Sequence, residues 1–251
     1  MPRIARTIIP RIRKSLRERG LVASLCRGYL LPVHLLREYR AARSLRRGQK
    51  QSCFDQAHGV DTEGDIGGWT YLSDLEIASP NWIHGVNYTA IEPERFNQVL
   101  ASIKTAFDGY TFVDFGSGKG RALLLASEFP FKRIIGVEFA QELHAIATEN
   151  IRRYQSPTQK CSDIESVNID FTNFELPAGP LVLFFYHPCR LPVFAKVVAH
   201  IGRSLAAHPR PMRVAYVAPP DEVEELFAQA GFLKQVVRDV AMGFVVYACV
   251  L

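Results

Sequence analysis

Three glycines at alternate positions follow an acid at the end of the apolar run in residues 111–121, TFVDFGSGKGR. Gly116, Gly118 and Gly120 remove three side chains where a backbone turns sharply, adopts positive φ, or lets a ligand approach the main chain. The run predicts a strand, a tight turn and the start of a helix. We therefore expect residues 116–120, called the glycine turn below, to hold a ligand at the end of a strand.

The spacing of the glycine turn argues against two common ligand sites. A Walker A phosphate loop requires Ser or Thr after its lysine, but Lys119 is followed by Gly120, and Val113 stands where the first glycine is needed. A nicotinamide dinucleotide fingerprint that begins at Gly116 requires a small residue at position 121, which is Arg121. Neither the ATPase nor the dinucleotide pattern fits.

A third pattern joins the glycine turn to two acids at strand ends. Asp114 precedes the turn, and Glu138 follows 24 residues later in RIIGVEFA. At these residues the sequence resembles the class I S-adenosylmethionine-dependent methyltransferases, over roughly residues 96–251. D-x-G-S-G-K-G-R with G-V-E-F and a Y-x-P turn is most similar to bacterial methyltransferases of unassigned substrate. A local similarity to the non-SET histone lysine methyltransferases slightly favours protein lysine as acceptor.

The resemblance implies a set of S-adenosylmethionine ligands. Asp114 would pair with the ammonium group of the cofactor, and Glu138 would accept hydrogen bonds from both ribose hydroxyls. Asp170 would bind the adenine amino group, with Phe171 packed on the ring. An upstream loop would close over the cofactor, with Tyr88, Thr89 and Glu92 as its candidate residues. The other cofactor-binding candidates are Gly116, Ser117, Gly118, Gly120 and Phe139.

The candidate catalytic residues are Tyr186 and His187, in the sequence LVLFFYHPCR. Methyltransferases that act on amino nitrogens of bases or glutamine amides have [DN]-P-P-[YF] at this place. Here Pro188 matches the first proline, but the polar residue before it is histidine and Cys189 replaces the second proline, which disfavours those acceptors. His187 is suited to a general base near neutral pH. A histidine that only hydrogen-bonds its own loop is the alternative.

Alternating strands and helices after residue 96 must position these residues. The predicted strands are Thr111 to Phe115, Arg133 to Val137, Ile164 to Asp170, Leu181 to Tyr186, Arg213 to Ala218, Leu233 to Asp239 and Phe244 to Val250. The predicted helices between them are Lys119 to Glu128, Gln141 to Tyr154, Leu191 to Leu205 and Asp221 to Gln229. This order predicts an α/β, Rossmann-like sheet of seven strands, mostly parallel, with an antiparallel hairpin at its C-terminal edge. In such sheets ligands bind at the carboxyl ends of the strands.

The charge distribution divides the chain into a basic head and an acidic body. Residues 1–50 contain 14 Lys and Arg against two acids, whereas the other 201 residues contain 16 bases and 23 acids. We predict a basic helical segment over residues 1–50, a linker or cap over 51–95, and a methyltransferase domain over 96–251. The basic segment fits an anionic lipid surface, nucleic acid or an organellar presequence, or it packs its apolar face on the body.

The composition limits the remaining classes. No run approaches the roughly 18 apolar residues of a membrane span, and five scattered cysteines without a C-x-x-C pair argue against a disulfide framework or a zinc site. We expect a cytoplasmic protein, with peripheral membrane association left open, and no metal. Two rivals to a methyltransferase stay open: a non-catalytic scaffold that binds S-adenosylmethionine, and a nicotinamide-dependent oxidoreductase.

Overall fold

The computed structural model describes residues 52–65 and 68–250. The basic segment predicted over residues 1–50 lies outside this part of the chain. The strands are β1 Thr111–Phe115, β2 Arg133–Glu138, β3 Ile164–Asn168, β4 Leu181–Tyr186, β5 Met212–Val217, β6 Leu233–Asp239 and β7 Phe244–Cys249. The α-helices are α1 Cys53–His58, α2 Pro93–Ser102, α3 Arg121–Ala126, α4 Gln141–Arg153, α5 Leu191–Ala207 and α6 Asp221–Gln229. Three 3₁₀ turns cover Leu72–Asp74, Pro80–His84 and Phe171–Asn173.

The seven strands form one sheet in the order β3-β2-β1-β4-β5-β7-β6. The strands from β1 to β5 are parallel, whereas β7 runs antiparallel to both β5 and β6. This arrangement confirms the predicted Rossmann-like α/β fold with its antiparallel hairpin. The strand order reverses between β1 and β4, and ligands of such sheets bind at the carboxyl edge beside this reversal. The glycine turn leaves β1 at that place.

Alternate residues of β1 face opposite layers of helices. Val113 and Phe115 belong to the core cluster under α5 and α6, whereas Phe112 belongs to the cluster under α2 and α3. Asp114 has the same parity as Phe112, and its neighbours in the sheet are Gly136 of β2 and Phe184 of β4. The sheet therefore carries the carboxylate of Asp114 into an apolar layer.

Two element boundaries differ from the sequence prediction by two residues at functional positions, whereas β2 and β5 shift by only one residue. Helix α3 begins at Arg121 rather than Lys119, because Gly120 precedes it with a φ of 87°. Strand β3 ends at Asn168, so Asp170 lies in the following loop, where its side chain caps a 3₁₀ turn. Both differences follow from local backbone geometry that the apolar pattern does not encode.

A close approach to Gly136 fixes how α3 packs on β2. A Cβ built on Gly136 would lie 2.6 Å from Leu123 Cδ1 and 2.7 Å from Ser117 Oγ. Gly136→Ala should therefore destabilise the protein by about 1–3 kcal/mol, the usual range for an overpacked core, in urea unfolding followed by circular dichroism. Gly231→Ala is the control, because nothing lies within 4 Å of its Cβ position. Equal midpoints for the two variants would contradict this packing.

Candidate cofactor site

All three glycines of the glycine turn have left-handed backbone conformations. Their φ angles are 83° at Gly116, 55° at Gly118 and 87° at Gly120. The N–H groups of Gly116 and Ser117 both donate to the carbonyl oxygen of Val137, at 2.8 and 3.2 Å. The alternate glycines are thus required by the backbone itself, because side chains are strained at such φ values.

Glu138 holds the glycine turn against the end of β2. Its Oε2 accepts a hydrogen bond from the Gly118 N–H at 2.8 Å, and its Oε1 accepts one from the Ala140 N–H, also at 2.8 Å. The residue is 3% exposed, and burial raises the pKa of its carboxyl to about 7 although these N–H groups lower it. In this conformation Glu138 binds two backbone N–H groups and so joins the glycine turn to the chain after β2.

Asp114 is a buried carboxylate without a hydrogen-bond partner among the described residues. It is 4% exposed, and burial, followed by the nearby charge of Glu138, raises the pKa of its carboxyl to about 8. The hydroxyl of Ser117 is also buried and unpartnered within the described chain. Buried polar groups are normally satisfied, so this pair marks a place that a ligand can complete.

The chain itself covers the glycine turn. A Cβ built on Gly118 would lie 2.1 Å from two ring carbons of Tyr88, and one on Gly116 would lie 2.8 Å from Pro188 Cβ. The space left beside Asp114 is a cavity of about 20 Å³, which Tyr186 also lines. Such a volume holds about one water molecule. The two glycines therefore make room for side chains of the protein in this conformation.

Residues 52–65 and 68–92, called the cap below, are attached to the glycine turn by ion pairs. Lys119 Nζ lies 3.2 Å from Asp61 and 2.8 Å from Asp65, and it donates to the Glu63 carbonyl at 2.7 Å. The Lys119 residue is 1% exposed. A buried ammonium requires such partners, so this lysine binds the protein's own acids.

Arg121 makes the second attachment of the cap. Its Nη2 lies 2.8 Å from Glu63 Oε1 and 3.3 Å from Asp55 Oδ1, and its Nε donates to the Thr62 hydroxyl. Its guanidinium also lies 4.4 Å from the ring centroid of Phe54. Tyr88 then joins the same layer, because its hydroxyl donates to the Thr62 carbonyl at 2.6 Å. The covering of Gly118 is therefore anchored through Arg121, the residue that directly follows the glycine turn.

Asp170 binds the cap as well. Its Oδ1 accepts from the N–H and the hydroxyl of Thr172 at 2.9 and 2.7 Å. Its Oδ2 accepts from the Asn81 amide at 2.8 Å and from the Ser79 hydroxyl. Burial raises the pKa of Asp170, but these hydrogen bonds outweigh burial and leave the pKa below its ordinary value. All four acceptor positions of this carboxylate are used.

The other predicted cofactor residues occupy varied places. Phe171 packs edge-on against Phe115, with ring centroids 6.0 Å apart, and Phe139 approaches Gly85 of the cap. Thr89 lines the cavity beside Asp114. Glu92 is exposed and precedes α2, where its side chain caps no N–H group. The structure does not bring Glu92 to the glycine turn.

The two candidate catalytic residues end β4. Tyr186 is half-buried, lines the cavity beside Asp114, and has the guanidinium of Arg95 at 5.6 Å from its ring centroid. His187 has a φ of 42°, and its Nδ1 lies 3.0 Å from the Ala218 carbonyl oxygen. The partner lies after β5 and not in the histidine's own loop, so this contact agrees with a positioned side chain.

The ion pairs and Arg95 were not predicted from the sequence. Four acids, at positions 55, 61, 63 and 65, precede a glycine turn that contains Lys119 and is followed by Arg121. That complementarity of charge is a usable signal, although nothing in the sequence states that the two segments meet. Arg95 and Ala218 carry no sequence signal, since each acts through backbone groups that are remote along the chain.

Comparison with known proteins gives similarity of structure only. No protein-family model matches the chain, and no curated protein matches it. Solved structures that resemble it include the glycopeptide N-methyltransferase MtfA with S-adenosyl-L-methionine, at TM-score 0.49 and 10% identity over 64% of this chain and 95% of that one.

Two further structures show the range of similar proteins. A SAM dependent methyltransferase from Aquifex aeolicus has TM-score 0.45 and 17% identity over 64% of this chain and 100% of that one. The [4+2]-cyclase SpnF has TM-score 0.44 and 16% identity over 60% and 61%. At such identities, and with TM-scores below 0.5, no activity passes from these proteins to this chain.

Within 52–65 and 68–250, no helix combines the length and the apolar character that crossing a bilayer requires. In the same part of the chain, no group of three His, Cys, Asp or Glu side chains is arranged to hold a metal ion.

The buried pair of Arg121 and Asp55 should dominate the attachment of the cap. Arg121→Met leaves Asp55, which is 1% exposed, without its cation, and should destabilise the protein by about 3–5 kcal/mol in urea unfolding. Adding Asp55→Asn should recover part of that loss. The control, Arg152→Gln, removes a surface ion pair to Glu149 and should leave the midpoint unchanged. A wild-type midpoint for Arg121→Met would show that the pair does not hold the cap.

Proposed function

We propose that this protein is an S-adenosylmethionine-dependent methyltransferase that transfers a methyl group to a nitrogen or oxygen of its acceptor. The observation that carries the proposal is the unpartnered, buried carboxylate of Asp114 beside a turn of three left-handed glycines, at the reversal of strand order. The sequence resemblance to class I methyltransferases supports the same cofactor. A nicotinamide-dependent oxidoreductase is disfavoured because its fingerprint needs a small residue at position 121, whereas Arg121 forms ion pairs with Asp55 and Glu63.

The residues fit this cofactor at two of three positions. A buried carboxylate without donors suits an ammonium group, which Asp114 would meet in the methionine part. Glu138 uses two of its four acceptor positions for backbone N–H groups, and two remain for ribose hydroxyls. Asp170 has no free acceptor position in the closed conformation, so its proposed contact with adenine requires release of Ser79 or Asn81.

Binding of the cofactor requires movement of the cap. The cavity beside Asp114 is about 20 Å³, far too small for a nucleoside joined to an amino acid. Tyr88 covers Gly118, so its ring would have to leave that position. The ion pairs of Lys119 and Arg121 are made with the acids at positions 55, 61, 63 and 65 and not with the residues next to Tyr88. We therefore infer that the loop around Tyr88 moves while the ion pairs persist.

The protein's own contribution to the reaction would be alignment and exclusion of water. When bound, the cofactor supplies a methyl group activated by its sulfonium, so no protein nucleophile is needed. Holding the acceptor in line with that group lowers the barrier by several kcal/mol. Tyr186 lines the cavity and is proposed to contact the acceptor. The preference for protein lysine, the anionic partner of residues 1–50 and the cytoplasmic location stay predictions.

Binding of the cofactor should release a proton from Asp114. With a pKa of about 8, this carboxyl is mostly protonated at pH 7, and pairing with an ammonium group lowers its pKa. Calorimetric titration at pH 7 in buffers of different ionisation enthalpy should show release of about one proton, and less for Asp114→Asn. Equal release from both proteins would show that Asp114 is not part of the site.

Tight NAD binding without S-adenosylmethionine binding would overturn the proposed function.

Transfer of label separates the enzyme from a non-catalytic scaffold. Wild-type protein with methyl-labelled S-adenosylmethionine and cell extract should label an acceptor, whereas binding without transfer would favour the scaffold.

Glu138→Gln should weaken cofactor binding by about 1.5–3 kcal/mol, the contribution of a charge-assisted hydrogen bond. Glu225→Gln, exposed on α6, is the matched control. An unchanged dissociation constant for Glu138→Gln would contradict its role at the ribose.

A further inference from the structure

Two non-glycine residues with left-handed backbones end adjacent strands. Among the described residues only His187, with φ 42°, and Ala218, with φ 53°, have this conformation outside glycine. They follow β4 and β5, which pair in parallel, so both lie at the carboxyl edge of the sheet. Such conformations are unfavourable and persist only where the surroundings enforce them, commonly at functional sites.

A hydrogen bond between these two residues fixes the tautomer of the histidine. His187 Nδ1 lies 3.0 Å from the Ala218 carbonyl oxygen. A carbonyl oxygen can only accept, so Nδ1 must carry the proton. In the neutral imidazole, the lone pair is then on Nε2, which becomes the one nitrogen able to take up a proton.

Ala218 is itself held by groups from two other elements. Its N–H donates to the Gly243 carbonyl at 2.7 Å, in the turn between β6 and β7. Arg95 of α2 donates to the same carbonyl from Nη2 at 3.0 Å and to the Met242 carbonyl from Nε at 2.7 Å. A continuous chain of hydrogen bonds therefore runs from Arg95 through Gly243 and Ala218 to the imidazole.

The same loop touches the glycine turn. Pro188 follows His187 directly, and its Cβ lies 2.8 Å from the Cβ position of Gly116. Tyr186 precedes His187 and lines the cavity beside Asp114. His187 thus lies in the chain between two residues, Tyr186 and Pro188, that border the proposed cofactor site.

We propose that His187 is the general base of the reaction, with Ala218 and Arg95 as positioning residues, and that the acceptor is a hydroxyl or a protonated amine. This inference rests on the proposed methyltransferase function. A protonated amine first gives a proton to Nε2, which frees the lone pair on its nitrogen, whereas a hydroxyl gives its proton to Nε2 as it attacks. The acceptor nitrogen or oxygen bonds to the methyl carbon, and the carbon–sulfur bond breaks with its electron pair left on sulfur. One positive charge moves from the sulfonium to the imidazolium. Both acceptor classes need a base because, at neutral pH, the acceptor oxygen or nitrogen still carries the proton that must be removed.

The tautomer is tested by nitrogen-15 NMR of the histidine-labelled full chain, with His187→Gln to assign the signal. In the neutral form we expect a protonated Nδ1 and an unprotonated Nε2. Ala218→Gly should keep this tautomer because glycine tolerates a φ of 53°, whereas Ala218→Val should lose it because a β-branched residue does not. Ala228→Val, exposed on α6, is the control. A proton on Nε2 in the neutral wild type would overturn the proposal.

The function of the base is tested by transfer of label to cell extract. His187→Gln and Ala218→Val should lose at least tenfold in transfer rate while their dissociation constants for S-adenosylmethionine remain those of the wild type. Ala228→Val should transfer at the wild-type rate. If the wild type transfers label and His187→Gln does so equally fast, this inference fails and the proposed function stands. If the wild type binds the cofactor without any transfer, both fail.

Discussion

Two buried cations, one in the glycine turn and one directly after it, impose the arrangement of the cap. Lys119 and Arg121 follow alternate glycines at the carboxyl edge of the sheet, and they are 1% and 2% exposed. A buried cation is stable only when acids and hydrogen bonds compensate for its lost hydration. The acids at positions 55, 61, 63 and 65 supply that compensation. A segment with little regular structure therefore takes one defined place on the sheet.

The attachment of the cap has a direct consequence for the ligand site. Once residues 55–65 are paired with the glycine turn, Tyr88 is held over Gly118 through its bond to the Thr62 carbonyl. A ligand bound as proposed would have to compete with this ring for the main chain of the turn. Its apparent affinity would equal its intrinsic affinity reduced by the fraction of protein in the open form. The cap would then take part in the proposed binding equilibrium.

Three acids near the ends of strands differ in how many acceptor positions they have left for a ligand, because the donors around them differ. Asp114 enters the apolar layer under α2 and α3 and meets no donor there, and burial raises the pKa of its carboxyl. Glu138 meets two backbone N–H groups and keeps two acceptor positions. Asp170 meets four donors and keeps none. Residue type predicts that each can bind a ligand, and only the donors around it decide which one does.

The sequence by itself determined the sheet and the position of the glycine turn. Apolar runs of strand length, alternating with amphipathic helices, are local patterns, so they placed β1, β4 and β6 at their observed bounds and located the glycine turn after β1. Burial of alternate apolar residues enforces such patterns wherever the strand pairs. The left-handed turn was likewise readable, because only glycine adopts that backbone without strain.

Tertiary structure alone decided which groups meet. The pairing of Arg121 with Asp55 spans 66 residues, and that of Arg95 with Gly243 spans 148. The hydrogen bond from the His187 imidazole to the Ala218 carbonyl spans 31 residues and joins two residues with left-handed backbones. Contacts of this kind depend on the paths of loops and on the direction of single side chains. The periodic pattern of apolar residues in the sequence contains no information about either. Arg121 shows the difference most clearly. Its size argued against one cofactor in the sequence, and only the fold revealed that its charge holds the cap in place.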